Sequence, residues 1–339
     1  MEVDEHKSTE SDNLPDEVEL FPYQVAGHKH GKGRLGLGIL KHKNGQILKP
    51  LFEDNGRAEK ELSFYDSVYK NSSADPLLEE LKYFLPIFYG TKNIYISGKD
   101  IKYLCLEDAC GAFQNPSLLD LKIGRITYDE GASKEKIGEQ KAKFLHGEAS
   151  GVRIVGMKVY DEETQIYFTP DKMIFRQLTP DGVASSLKLY FTKDRFINSL
   201  LLCGFIHKLS QLKSWFSRQR KFKFIGSSIL FVYEGTLSFW KEWIKNMYIS
   251  DDQNASRECK KNFNDCSILK PGINGTCTLC GLDKYVCTEV LTKCNLFRIV
   301  MIDFAHVSCS EKEDTNYLFG LHNLINYFKN LLDVQTTDS

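Results

Sequence analysis

The sequence contains no apolar run long enough to cross a bilayer and no excess of charge of either sign. Its 44 lysines and arginines are balanced by 45 aspartates and glutamates, so a polyanion could be bound only where basic residues cluster locally. These two absences argue against a membrane-spanning protein and against a bulk nucleic-acid binder. We therefore expect neither a membrane span nor a nucleic-acid partner.

The N-terminus lacks the basic start and the apolar core of a signal peptide, which predicts an intracellular protein of the nucleus, the cytoplasm or both. Residues 1–18 are acidic and polar with little to bury, and we expect them to form a disordered tail. Ten cysteines in such a chain should be reduced thiols or metal ligands and not a disulfide framework. A hydrophobic content of 42% in 339 residues provides for a sizeable core in one large or two smaller domains.

The chain has no Walker sequence, and its Gly31-Lys-Gly33-Arg-Leu-Gly36, which has the spacing G-x-G-x-x-G, is by itself a weak nucleotide signal. Glycines do punctuate one basic segment, where a glycine-rich turn is favoured over a loop that covers phosphates. These glycines are Gly27, Gly31, Gly33, Gly36 and Gly38. Just beyond them, Asn44-Gly45 predicts a hairpin turn between two short strands.

The greatest concentration of chemical groups lies in the stretch PSLLDLKIG, residues 116–124. Three apolar residues alternate here with Asp120 and Lys122, so a strand would bury one face and present the carboxylate and the ammonium together on the other. The segment alone leaves two interpretations open. It is either part of a reaction centre or an edge strand with a solvated ion pair.

Two further elements carry groups that suit phosphate chemistry. Lys49 ends a predicted strand and Glu61 lies on the predicted helix 56–69, an arrangement by which protein kinases hold a phosphate-binding lysine, although a surface salt bridge would look the same in sequence. Asp303 follows a strongly apolar β segment, and a carboxylate released at the end of a buried strand suits a magnesium ligand.

A polar helix is predicted from Lys134 to about Phe144, with Ser133 as its N-cap. Its positions 136, 139, 140 and 143 fall on one face, which is polar and carries two lysines. A solvated helix face is the simpler interpretation of this pattern on its own.

Pro116-x-x-x-Asp120-x-Lys122-x-Gly124 resembles the signature P-x-x-x-D-x-K-x-G of the inositol polyphosphate kinases. Other segments resemble that family in the same order, so that the resemblance extends over most of residues 20–332. These segments are Gln24–His28, the strand with Lys49, Lys60–Tyr65, Leu106–Asp108, Ser227–Glu234 and Ile302–His306. Tyr128-Asp129 and Ala132-Ser133, which follow Gly124, are most similar to the multikinase branch of the family.

The resemblance implies an α+β, two-lobed kinase-like fold, related to ATP-grasp enzymes and protein kinases, with an antiparallel sheet in each lobe. It implies an N-terminal lobe of residues 19–108 and a C-terminal lobe of residues 109–339. The C-terminal lobe would include an inserted helical segment at 125–180 that binds inositol phosphate, and a Cys-rich insertion at 236–295. We expect a monomer.

The resemblance also implies ATP and Mg²⁺ as cofactors, bound between the lobes. The implied contacts to nucleotide and metal are Lys49, Glu61, the backbone of Glu107 and Ala109, Asp120, and Asp303 as the Mg²⁺ ligand. Asp120 and Lys122 would be catalytic, with Lys122 touching both the transferred phosphoryl group and the substrate. An inositol phosphate needs basic donors gathered on one surface, and the implied substrate contacts are Lys122, Lys136, Gln140, Lys143, Lys172 and His306.

The implied activity is phosphorylation of inositol 1,4,5-trisphosphate to tetrakis- and pentakisphosphate at the 6-, 3- or 5-hydroxyl. Two alternatives stay open: an inositol hexakisphosphate kinase that makes pyrophosphates, and a non-catalytic scaffold of the same fold. A shallow basic site would also admit phosphoinositide head groups. Glu139 and Lys172 stand where multikinases often or sometimes carry glutamine, which leaves the order of phosphorylated positions open.

The cysteines of the 236–295 insertion include Cys277-x-x-Cys280, which is half of a zinc knuckle. The spacings of the remaining cysteines fit no standard zinc finger. We therefore favour a flexible insertion whose thiols hold no metal, with Zn²⁺ at Cys277 and Cys280 as the alternative.

Overall fold

Two five-stranded antiparallel sheets and the helices packed on them make up the protein, as seen in a computed structural model that describes residues 14–25, 38–52, 56–129, 131–250 and 293–337. The α+β fold with an antiparallel sheet in each lobe confirms the prediction. The strands are β1 Val18–Leu20, β2 Leu40–His42, β3 Ile47–Pro50, β4 Phe88–Ile96, β5 Lys99–Leu106, β6 Pro116–Ile123, β7 Val152–Asp161, β8 Ile166–Phe168, β9 Phe222–Phe224, β10 Ser228–Glu234, β11 Phe297–Ile302 and β12 Val307–Cys309.

The described residues also form eight α-helices and three short 3-10 helices. They are α1 Arg57–Asn71, α2 Pro76–Lys82, α3 Lys134–Lys143, α4 Gly147–Ser150, α5 Pro180–Leu187, α6 Arg195–Arg218, α7 Leu237–Ser250 and α8 Thr315–Thr337, with short 3-10 helices at Ser72–Ala74, Lys172–Phe175 and Lys188–Tyr190. None of the helices within the described ranges combines the length and the apolar character that a membrane crossing requires.

The N-terminal sheet has the strand order β1-β2-β3-β5-β4. The predicted turn at Asn44-Gly45 joins β2 to β3, and Gly45 takes a φ of 88°, a left-handed conformation that glycine adopts without strain. The apolar side of α1 is buried through Phe64, Tyr65 and Val68. The predicted disordered tail overlaps this sheet, since Val18 is buried in β1, whereas residues 1–13 and 26–37, with most of the glycine-rich segment, lie outside the described residues.

The C-terminal sheet has the order β11-β10-β6-β7-β8, so β6 is its central strand. The edge-strand interpretation of residues 116–124 is therefore wrong. Leu119, Leu121 and Ile123 point into the main hydrophobic core with α6 and α8, as the alternation predicts. Asp120 and Lys122 lie on the opposite face, which looks toward the N-terminal sheet.

The apolar, β-prone stretch 222–233 predicts a central strand, but the structure divides it into β9 and β10. Gly226, with a φ of 66°, lies at the bend between them. Only β10 joins the large sheet, whereas β9 pairs with β12. The bend brings Gly226 to the same cleft as Lys122.

The Cys-rich insertion begins with a helix that the sequence reasoning did not predict. In α7, Trp240 is fully buried and its indole N–H donates to the Glu234 carbonyl over 2.8 Å. This part of the insertion is therefore packed on the core. Cys277 and Cys280 lie outside the described residues, so the structure gives Zn²⁺ at this pair no support.

Gly320 in α8 allows the helix to lie against the end of β6. A Cβ at this position would stand 2.7 Å from the Gly124 nitrogen and 2.5 Å from the Gly151 carbonyl oxygen. Because both obstacles are backbone atoms, we expect Gly320→Ala to lower the free energy of unfolding by about 2 kcal/mol. Urea denaturation measures this change.

The matched control is Gly138→Ala in α3, where an added Cβ meets nothing within 4 Å. Alanine favours a helix over glycine, so this variant should be as stable as the wild type or more stable by up to about 1 kcal/mol. Equal stability of both variants would show that α8 does not depend on close approach at Gly320.

Candidate active site

A cleft of about 520 Å³ lies between the two sheets and receives residues from both of them. One end is an apolar slot beside the connection 107–110, lined by Ile39, Ile47, Leu106, Leu118, Leu230 and Val300. The other end is polar and is lined by Lys49, Glu61, Asp120, Lys122, Asp303 and His306. An apolar slot that leads to charged groups suits a ligand with an apolar ring and phosphates.

Lys49 joins the two lobes by two ion pairs. Its Nζ lies 2.8 Å from Glu61 Oε1 on α1 and 2.6 Å from Asp303 Oδ1 after β11. Burial favours the neutral form of Lys49, but Asp303 and Glu61 outweigh it and hold the pKa of the ammonium above its usual value. The Lys49–Glu61 pair predicted from the sequence is therefore present. Its glutamate is buried, since Glu61 is 5% exposed.

Asp303 is held in an unusual backbone conformation, with a φ of +64°. A non-glycine residue in this region carries strain, which persists where the surrounding structure fixes it and is frequent at functional sites. Glu61 contributes to that fixation, because its Oε1 accepts a hydrogen bond of 3.1 Å from the Phe304 N–H. The Asp303 side chain remains 44% exposed and so is accessible from the cleft.

The strand register explains why Asp303 and Lys122 meet. Lys122 on β6 pairs with Ser228 on β10, and Ser228 pairs with Ile302 on β11. The residue after Ile302 is Asp303, so it leaves the sheet level with Lys122. Burial opposes the ionisation of Asp303, but Lys49 and Lys122 hold the pKa of this carboxyl below its usual value.

Asp120 differs from Asp303 in its surroundings. It is 3% exposed, and its Oδ1 has no hydrogen-bond partner among the described residues. Burial and the negative charge of Asp303 raise the pKa of Asp120 to about 7. The pKa values of Asp120 and Asp303 are thus shifted in opposite directions. The buried Oδ1 of Asp120 would be satisfied by a cation or by a hydrogen-bond donor.

Lys122 is the unpaired cation of this group. In the part of the chain that the structure describes, it forms no ion pair and no side-chain hydrogen bond, yet it lines the cleft beside both aspartates. A Cβ on Gly226 would lie 3.8 Å from Lys122 Nζ, so glycine leaves the ammonium open on that side. The ammonium is free to bind an anion.

The connection between the sheets presents backbone groups to the apolar slot. The Glu107 side chain is engaged in a bidentate pair with Arg298, at 2.7 and 3.2 Å. Over the described residues, the Glu107 carbonyl and the Ala109 N–H have no partner, and both residues line the cleft. A carbonyl and an N–H two residues apart suit the hydrogen-bonding edge of a purine, and the contact of Glu107 and Ala109 with adenine stays a prediction. Arg298 was not singled out from the sequence.

His306 also reaches the cleft, and its Nδ1 lies 2.8 Å from Asp129 Oδ2. Burial lowers the pKa of His306 below its usual value, in spite of the opposing charge of Asp129. The imidazole is therefore neutral near pH 7, and a proton on Nδ1 would leave Nε2 as an acceptor. Sequence reasoning included His306 but missed this role of Asp129, which lies 177 positions away.

Two further cations act electrostatically on this end of the cleft. The charges of Lys136 on α3 and Arg57 at the start of α1 both act to lower the pKa of His306. Arg57 lines the cleft and was missed from the sequence, although it stands one helical turn before Glu61 and thus on the same face of α1.

Of the predicted substrate residues, Lys122 and His306 line this cleft, whereas Lys136, Gln140, Lys143 and Lys172 do not. Gln140 lines a separate cavity of about 250 Å³ on the inner side of α3. Lys143 and Lys172 are exposed and line neither cavity. Their contacts with a substrate therefore stay predictions.

Metal ligation at this site would rest on Asp120 and Asp303. Among the described residues, no group of three or more His, Cys, Asp and Glu side chains gathers to hold a metal ion. Mg²⁺ is commonly bound by one or two carboxylates together with phosphate oxygens and water, so a larger protein cage is not required.

Comparison with known proteins agrees with the geometry. The chain matches the inositol polyphosphate kinase family over residues 103–329. It is 30% identical to the inositol polyphosphate multikinase of Rattus norvegicus, over 92% of this chain and 91% of that protein, and 29% identical to that of Homo sapiens, over 92% and 88%. The fold is similar to the inositol phosphate multikinase of S. cerevisiae, solved with ADP and Mn²⁺, with a TM-score of 0.56 and 21% identity over 85% of this chain and 99% of that one.

Proposed function

Because the chain belongs to the inositol polyphosphate kinase family, we propose that it transfers the γ-phosphoryl group of ATP to hydroxyl groups of soluble inositol polyphosphates. The proposed substrate is inositol 1,4,5-trisphosphate, carried to tetrakis- and pentakisphosphate at the 6-, 3- or 5-hydroxyl. The observation that carries the proposal is the unpaired Lys122 beside Asp120 and Asp303, in the cleft that also holds the Lys49–Glu61 pair.

The residues of the cleft fit ATP and Mg²⁺. The apolar slot with the Glu107 carbonyl and the Ala109 N–H suits the adenine ring, and Lys49 lies where it would neutralise phosphate oxygens. The orphaned Oδ1 of Asp120 and the accessible carboxylate of Asp303 suit a hard divalent cation. When bound, the cation would offset negative charge that develops on the transferred phosphoryl group.

The protein's own part in the reaction is to position and to neutralise. Lys122 is held by the central strand β6 and would donate hydrogen bonds to the phosphoryl group in the transition state of transfer. Because the cation is already in place, no reorganisation is needed when the transition state forms. His306 lines the same cleft, and its Nε2 would accept the hydroxyl proton while Asp129 holds the other ring nitrogen. Phosphoryl transfer requires positioning more than a strong base, so this limited set of groups suffices.

The acceptor side of the cleft is basic. Lys136 and Arg57 lie near His306, and an inositol phosphate carries several phosphates that such cations would hold. Gln140, Lys143 and Lys172 would join them on the same side of the protein, as the family resemblance implies. Phosphoinositide head groups are a further proposed substrate class, because they present the same phosphorylated ring.

The test is transfer of labelled phosphate from ATP to a panel of soluble inositol phosphates, each incubated with the purified full-length chain and Mg²⁺. Transfer to inositol 1,4,5-trisphosphate and to a tetrakisphosphate is expected. Transfer to the hexakisphosphate alone would instead identify a pyrophosphate-forming enzyme. Absence of transfer to every member of the panel would leave a non-catalytic scaffold and overturn the proposal.

Asp129→Asn tests the role of His306. Asp129 raises the pKa of His306 against the effect of burial, so removing its charge should lower that pKa further. Activity that requires a neutral histidine is lost as the pH falls through this pKa, and the acid limb of the kcat/KM profile should therefore move to lower pH. The plateau should fall about 10- to 100-fold, because the ring is no longer oriented and is a weaker base. An acid limb that stays in place or moves to higher pH would contradict this role.

A further inference from the structure

A buried arginine lies outside the proposed reaction centre. Arg153 on β7 is 5% exposed, and it is the cross-strand neighbour of Lys122. Its guanidinium donates to the Gly124 carbonyl, and to the Arg125 carbonyl over 2.7 Å. Its Nε has no partner, and within the described ranges no carboxylate forms an ion pair with it. Burial lowers the pKa of Arg153 to about 10, which still leaves it charged at neutral pH.

Such an arrangement is costly without an anion. A buried charge is normally paired, because carbonyl dipoles replace only part of the hydration that the ion loses. The described protein supplies two carbonyl oxygens in contact, whereas the carboxylate of Glu148 acts on Arg153 without forming an ion pair with it. The unsatisfied Nε and the cavity beside it thus mark a place for an anionic ligand.

Charged and polar side chains make up part of the lining of the cavity of about 250 Å³. It is bounded by Arg153, Gln140, Lys141, Thr127, Tyr128 and Phe144, and it shares none of its lining residues with the ATP cleft. Glu148 lies at its edge, half-exposed, with an Oε1 3.1 Å from Lys141 Nζ. With one carboxylate against two cations, the lining is net positive.

The helix that covers this cavity is weakly anchored. None of the residues of α3 is buried, so the helix gains little from apolar packing. Its N-terminus is fixed by Ser133, whose Oγ accepts from the Lys136 N–H over 3.3 Å. A ligand that bridges Gln140 and Lys141 to Arg153 would supply the missing attachment.

We propose that this cavity is an accessory phosphate-binding site that fixes α3 against β7. The ligand is a phosphate group, which the planar guanidinium fork of Arg153 suits and which Gln140, Lys141 and Thr127 can also contact. The cavity has room for a phosphate and accompanying water, since a water molecule takes about 30 Å³. The phosphate is either the free ion or an ester group of an inositol polyphosphate. Because α3 also carries Lys136, a proposed substrate contact whose charge acts on His306, occupancy of this site would set the position of that lysine.

Hydrogen exchange of the α3 amides, residues 134–143, tests the proposal. The full-length chain is first saturated with ADP and Mg²⁺, so that phosphate does not act through the nucleotide site. Inorganic phosphate is then expected to slow exchange in α3 about tenfold. The slowing should be absent in Arg153→Met and weaker in Lys141→Gln, and unchanged in Lys134→Gln, an exposed control on the same helix that does not line the cavity.

The second arm uses inositol 1,4,5-trisphosphate with the Lys136→Ala variant, which weakens binding from the cleft side. If hydrogen exchange in α3 slows only with inositol 1,4,5-trisphosphate, and only when Arg153 is present, the site binds a phosphate ester group of an inositol polyphosphate. Slowing by inorganic phosphate assigns it to the free ion. If neither probe slows exchange, or if Arg153→Met responds as the wild type does, the site does not exist. Should Arg153→Met fail to fold, an undiminished response of Lys141→Gln overturns the proposal.

Discussion

Replacing Asp303 with asparagine is expected to lower kcat for inositol phosphate phosphorylation by about 10³-fold. The carboxylate has two tasks that an amide cannot perform: it carries the charge that pairs with Lys49 at 2.6 Å, and it offers an anionic oxygen to a divalent cation. Asparagine also keeps the side-chain size and tolerates the left-handed conformation that position 303 requires. The loss should therefore arise from the charge and not from misfolding.

Steady-state kinetics over a series of Mg²⁺ concentrations measures the effect. The matched control is Asp66→Asn, which removes an exposed carboxylate from the α1 pair with Lys70 and should leave kcat within about twofold of wild type. If Asp303→Asn retained more than a tenth of the activity while Asp66→Asn behaved as expected, Asp303 would not be the metal ligand.

Lys122→Ala is expected to lower kcat/KM for the inositol phosphate by at least about 10³-fold. The ammonium is unpaired, so its removal leaves no partner unsatisfied among the described residues, and the protein should fold. Affinity for ADP should change by less than about threefold, because Lys49 and the slot beside Glu107 and Ala109 still hold the nucleotide. Isothermal titration with ADP and initial rates with both substrates separate the two effects.

A lysine on the exposed side of the neighbouring lobe serves as the control for this variant. Lys102 on β5 is exposed and does not line the cleft, so Lys102→Ala should leave both rate and affinity near wild type. Parallel losses of ADP binding and of turnover in Lys122→Ala would instead place this lysine on the nucleotide alone.

The local pattern of apolar and polar residues was sufficient to predict much of the fold and part of the site. The alternation around Asp120 and Lys122 predicted a strand with one core face, and Ser133 predicted the start of α3. The position of β6 in the middle of the sheet was not predictable in the same way, because the neighbours of a strand are set by segments far away in the chain. The family resemblance, and not the periodicity, distinguished a reaction centre from a solvated pair.

The parts that sequence reasoning missed are long-range contacts. The pairing of His306 with Asp129 joins residues 177 positions apart, and neither residue type is distinctive alone. The buried Arg153 lies in a strand whose sequence is mostly apolar, and the sequence does not show which groups surround its side chain. Conversely, helical spacing placed Lys143 with Lys136 on one face, but neither lysine lines the cleft, and only Lys136 acts on His306 by its charge.

The central claim is that Asp120, Lys122 and Asp303 surround the phosphoryl group during transfer. A crystal structure of the chain with ADP, Mn²⁺ and inositol 1,4,5-trisphosphate tests it most directly. An anomalous peak for the metal is expected at bonding distance, about 2.1 to 2.2 Å, from a carboxylate oxygen of Asp303, with Lys122 Nζ between the nucleotide and the acceptor. A metal bound elsewhere, or a substrate out of reach of Lys122, would contradict the account.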